Sequence, residues 1–228
     1  MTTLYAEVDK TKIANLPQAL FSGRIVVIET AESAQEAVRF LAKENILGVD
    51  TETRPSFRKG IIYKVALLQV STHDVCFLFR LNRMGIPNCL KKLLENREQL
   101  KVGLSLQDDM HALHERVDFT EGKYLDLQNY VRRFGIVDKS LQKLYANIFR
   151  ERISKGQRLT NWEAQVLTPA QQFYAATDAW ACVKIYERLE KLFENQNFVF
   201  VPMINEDILM ERTMNEMRNE ELKMLSDY

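Results

Sequence analysis

Apolar positions in this chain fall into short β-branched runs, separated by stretches in which apolar residues recur every three or four positions. That mixture predicts strands alternating with amphipathic helices. Residues 24–29 are expected as an edge strand and 31–43 as a helix. Residues 46–53, 64–71 and 74–81 follow as three β-rich runs with short gaps, which predict antiparallel neighbours. The second half predicts a short helix over 87–95, a strand over 101–106, a helix over 109–115 and a brief strand over 124–127. Helices are then expected over 128–134 and 140–149, followed by a basic loop over 150–158. Thr168-Pro169 opens a long helix, with Thr168 as N-cap and Pro169 at the first helical position, where its missing N–H does no harm.

Such alternation implies a sheet covered by helices, an α/β layered fold. Residues 1–22 lack clear periodicity and read as a lead-in, 23–195 as the main domain and 196–228 as a tail. In the tail, residues 198–202 break the long helix. Residues 205–228 are expected to form a charged amphipathic helix, with Met210, Met214, Met217 and Met224 at roughly helical spacing. That stripe is expected to pack on the domain. The sharper reading is a surface for a protein partner or for self-association, since methionine adapts to varied partners.

Composition adds limits. The chain has 228 residues, 46% hydrophobic and 27% charged, as in ordinary soluble proteins. Lys plus Arg equals Asp plus Glu at 31 each, so no strong nonspecific grip on polyanions is expected, although a local basic rim can coexist with an acidic centre. Three scattered cysteines, Cys76, Cys89 and Cys182, suit neither a disulfide framework nor a zinc cluster and point to the cytoplasm. The acidic N-terminus and the lack of a long apolar run predict a soluble chain with no membrane span.

The candidate chemistry lies in three places. Side chains in a strand repeat every two residues, so Asp50 and Glu52 share a face while Thr51 points away. Residues four apart on a helix are neighbours, which pairs Tyr174 with Asp178. Between them, an apolar run from Val102 stops at the pair Asp108-Asp109. These acids suggest a four-carboxylate site for two hard divalent cations, which together clamp the attacking and leaving oxygens of a phosphoryl displacement. Tyr174, with an ordinary pKa of about 10, is a poor base and better suited to orienting a water.

Asp50-Thr-Glu52 with Val65-Ala-Leu-Leu-Gln69, Val102-Gly103 followed by five residues and Asp109, and Tyr174-x-x-x-Asp178 resemble the three motifs of the DEDDy 3′→5′ exonucleases, of the ribonuclease D and Werner-syndrome type. Leu159-Thr-Asn-Trp162 resembles their Ser-x-Trp element, with Thr160 at the serine. The resemblance implies an RNase H-like exonuclease fold with a mixed, roughly five-stranded sheet, and two Mg²⁺ or Mn²⁺ ions held by Asp50, Glu52, Asp109 and Asp178. It also implies removal of nucleotides from a 3′ end of DNA or RNA, with Tyr174 completing the catalytic set. Spacing from Gly103 selects Asp109 and leaves Asp108 as a helix cap.

Thr51, Arg54, Arg158, Thr160 and Trp162 are the expected substrate contacts, with Arg58, Lys59, Lys64 and Lys155 adding to a basic rim. His111 and His114 lack supporting metal ligands and are expected at the surface or in packing. The alternatives are a catalytically silent nucleic-acid-binding or scaffold module on the same fold, and an oligoribonuclease-like enzyme for short substrates.

Overall fold

Six of the β runs pair into one mixed sheet, and the tertiary positions of the acids follow from its register. In this computed structural model, which describes residues 1–202, the elements are β1 (Thr2–Tyr5), α1 (Lys10–Ile13), β2 (Arg24–Ile28), α2 (Ala31–Leu41), β3 (Ile46–Glu52), β4 (Leu67–Ser71) and β5 (Val75–Arg80). After them come α3 (Leu81–Met84), α4 (Asn88–Glu95), β6 (Leu100–Gly103), α5 (Leu106–His114), β7 (Lys123–Asp126) and α6 (Leu127–Tyr130) with a 3-10 turn at Val131–Phe134. The last are α7 (Leu141–Phe149), α8 (Pro169–Glu194) and β8 (Phe198–Val201). The expected Met-striped helix over 205–228 lies outside the described residues.

The sheet order is β2-β5-β4-β3-β6-β7, six strands rather than about five, with β2 at the expected edge. As the short gaps imply, β3, β4 and β5 are antiparallel neighbours, while β2, β6 and β7 join in parallel. A second, two-stranded parallel sheet joins β1 to β8. The lead-in is therefore structured, with Leu4, Ile13 and Phe21 all buried. No periodicity reveals four-residue elements whose partner lies nearly two hundred positions away. Asn147 on α7 fastens β1, accepting from Tyr5 N at 2.9 Å and donating to Tyr5 O at 2.7 Å.

Each face of the sheet has its own apolar layer. Leu47, Val49, Leu68 and Val70 pack against α2, α4 and α5 through residues such as Leu41, Leu90 and Met110. The other face, which carries Leu67 and Leu78, is covered by α8 with Trp162, Tyr174 and Ala175. Thr168 caps α8 as expected, its hydroxyl accepting from Gln171 N, and Pro169 follows it.

Glycine at position 48 decides how close α8 comes. A β-carbon there would overlap the Ala179 carbonyl of α8, and the neighbouring Ala175, Ala176 and Ala179 are fully buried. Small residues on both sides thus let backbone meet backbone where Asp50 and Asp178 lie. Gly48→Ala should accordingly destabilise the protein by about 3 kcal/mol, toward the upper end for overpacking of a filled interior. Urea denaturation checks this.

Candidate active site

Asp50 and Glu52 close β3 on the face that Gly48 turns toward α8. Asp178 comes from the middle of α8, and carboxylate oxygens of Asp50, Glu52 and Asp178 lie within 4.8 Å of one another. Glu52 and Asp178 are buried, and Asp50 is half-buried.

Asp109 arrives from the opposite layer. Helix α5 packs under the other face of the sheet, and Asp109 at its first turn accepts a hydrogen bond from the Thr51 hydroxyl. The strand parity that turns Thr51 away from Asp50 and Glu52 is what makes it available to Asp109. Of the acidic pair, Asp109, which the spacing from Gly103 selects, is the one that meets β3.

Asp108 does not cap α5. Ser105 holds the N-cap position in a left-handed conformation, φ 61°, and Asp126 supplies the capping acceptor. Its carboxylate takes the Ser105 N–H at 3.1 Å, the Leu106 N–H at 2.9 Å and the Gln128 N–H at 2.8 Å. One acid at the end of β7 thereby fixes the starts of both α5 and α6, and with α5 the place of Asp109. Sequence reading missed Asp126, since capping across two elements carries no local spacing. Asp108, His111 and His114 instead line an open groove of about 700 Å³, and His114 stacks on Phe119 at 4.3 Å.

The remaining expected contacts divide. Arg158 and Lys155 are exposed and close enough to ease the charge on Glu52 and Asp178 respectively. Arg54 is paired with Glu163 at 3.4 Å and lies over the Tyr63 ring at 4.7 Å. Thr160 donates its hydroxyl to Gln157 O at 2.8 Å and accepts from Gln171 Nε2 at 3.0 Å, so that hydroxyl holds the loop before α8. Trp162 is fully buried, its ring 6.0 Å from that of Tyr174. The expectation of a contact between Trp162 and substrate is therefore corrected: its large apolar ring fills the layer under α8 and supports Tyr174.

Charge dominates the site. Burial raises the Asp50 carboxyl well above its ordinary range, and the charges of Asp109, Asp178 and Glu52 add to the effect. Glu52 is pushed up to about 9, by burial first and then by Asp178 and Asp109. Burial also lifts Asp178 to about 7 and Asp109 to about 6, although hydrogen bonds from Tyr174 and Thr51 oppose it. Burial and the adjoining acids raise the Tyr174 phenol further, so it stays protonated. This all-oxygen donor set, converging and short of counter-charge, fits hard divalent cations.

The fold is that of the crystal structure of the Aedes aegypti Nibbler EXO domain, with a TM-score of 0.69 at 20% identity over 77% of this chain and 91% of that one. The 3′-5′ exonuclease family model matches residues 25–194, and the chain belongs to that family. It is 30% identical to a 3′-5′ exonuclease of Arabidopsis thaliana, over 80% of this chain and 69% of that protein. It is 28% identical to the bifunctional 3′-5′ exonuclease/ATP-dependent helicase WRN of Mus musculus, over 86% of this chain but only 15% of that protein.

Raised carboxyl pKa values mean that the metal-free fold holds more protons than the unfolded chain, from about pH 4 up to about 9. The stability contributed by these groups falls as pH rises through that window. Asp178→Asn should then stabilise the metal-free protein at pH 8 by about 2 kcal/mol, or roughly 5 °C in Tm, and by little at pH 4. Thermal melts at both pH values in EDTA check the sign.

Proposed function

We propose that this chain is a divalent-cation-dependent 3′→5′ exonuclease that hydrolyses the terminal phosphodiester of a DNA or RNA strand and releases nucleoside monophosphates. The observation that carries this reading is the convergence of Asp50, Glu52 and Asp178 from β3 and α8, with Asp109 outside that trio but tied to the same strand by Thr51 and near enough for its charge to act on Asp50 and Glu52. A binding module has no use for mutually repelling carboxylates at such a depth.

Asp50, Glu52, Asp109 and Asp178 are the residues that would hold two ions, Mg²⁺ or Mn²⁺. When bound, such ions acidify the attacking water and neutralise charge on the phosphate. Tyr174 keeps its proton and lies against Asp178, so its hydroxyl can donate a hydrogen bond and orient a water or a phosphate oxygen. Lys155 and Arg158 flank the acids from the loop before α8 and suit phosphate contact. After Glu52, the loop exposes Phe57, Arg58 and Lys59, a pairing of aromatic and basic side chains that suits contact with a nucleic-acid strand. The free thiols Cys76, Cys89 and Cys182 suit the cytoplasm as its compartment.

A time course on 5′-labelled single-stranded DNA and RNA, with Mg²⁺, Mn²⁺ or EDTA, tests the reading. A ladder shortening from the 3′ end is expected, abolished by EDTA and by Asp178→Ala. Binding without metal-dependent cleavage would sink it. Arg158→Ala should weaken binding across sequences and lower the slope of log affinity against log salt by about 1; an unchanged slope removes Arg158 from the phosphate contacts.

A further inference from the structure

Next to the carboxylates lies a buried amide that the internal hydrogen bonding of the fold leaves out. Gln69, in the middle of β4, is 0% exposed, and neither its Oε1 nor its Nε2 has a hydrogen-bond partner. The antiparallel register of β3 and β4 sets Gln69 directly opposite Asp50, where paired residues have their β-carbons about 5 Å apart on one face. That is the face covered by α8, which brings Asp178.

Within the sheet, the neighbours of Gln69 on this face are apolar or otherwise engaged. Ser71, two residues along, donates to Thr72 O at 2.8 Å, and Leu67, two residues the other way, is apolar. On β5, the residue across from Gln69 is Leu78, also apolar. Asp50 is therefore the acceptor that the strand register itself presents to the amide, which has two N–H donors to give.

A buried amide without a partner weakens a fold, whereas an apolar side chain of similar size does not. Its placement against Asp50 accounts for an amide at this position. We propose that Gln69 is a positioning residue: its Nε2, unpartnered in this structure, turns to the Asp50 carboxylate across the strand pair and holds the oxygens of that group toward the divalent cation. Outer partners of this kind hold metal ligands in orientation, and their loss weakens metal binding about 10- to 100-fold. This role rests on the reading of Asp50 as a metal ligand.

Gln69→Leu and Gln69→Met, made in the full chain, test it by calorimetric titration with Mn²⁺, urea denaturation in EDTA, and cleavage of a labelled oligonucleotide. The expected result is a split: metal-free stability equal to or above that of the parent, Mn²⁺ affinity lower by tenfold or more, and kcat reduced. A merely structural glutamine would leave Mn²⁺ affinity untouched, so parental affinity in the folded variants overturns the proposal. Unfolding of both variants overturns it as well, because the amide would then be holding the sheet. Failure of the parent protein to take up Mn²⁺ strikes instead at the metal reading, and this role falls with it.

Discussion

The close approach of α8 to β3 is the constraint on which the rest of the structure depends. Backbone meets backbone at Gly48 and Ala179, with no side chain between them. Two residues along β3 and one residue along α8 stand Asp50 and Asp178. A larger residue at either contact would move the helix outward and part the two carboxylates. The buried alanines around Ala179 extend the same close contact over β4, while the bulk that fills the layer is supplied from elsewhere, by Trp162, Leu67 and Phe21.

That closeness has an electrostatic cost, carried by an otherwise ordinary core. Four acids gather where burial already disfavours charge; Asp109, Asp178 and Glu52 raise Asp50 further, and Asp178 and Asp109 raise Glu52. Hydrogen bonds from Tyr174 and Thr51, and the nearby charges of Lys155 and Arg158, pull the other way. Packing on both faces of the six-stranded sheet keeps the cluster assembled. A site of this kind is held against its own preference by the surrounding fold, as functional sites often are.

A second framework sets Asp109. The left-handed Ser105, the short start of α5 and the three N–H groups gathered by Asp126 define how that helix leaves the sheet. Thr51 then ties Asp109 to β3 from the side of the sheet opposite Asp178. The acids thus converge from both layers around the end of one strand.

Local pattern was enough for much of this. The period of two in β3 put Asp50 and Glu52 together, the helical spacing paired Tyr174 with Asp178, and the count from Gly103 separated Asp109 from Asp108, because each relation lies within one element or one short turn. The Thr168-Pro169 start of α8 and the antiparallel order of β3, β4 and β5 were legible for the same reason. What only the tertiary structure decided involves residues far apart in the chain. The pairing of β1 with β8, the buried place of Trp162, the capping by Asp126, the use of Thr51 to hold Asp109 and the seat of Gln69 across from Asp50 all depend on which elements become neighbours. Side-chain periodicity reports the face on which a residue lies, but not what the folded chain brings to that face.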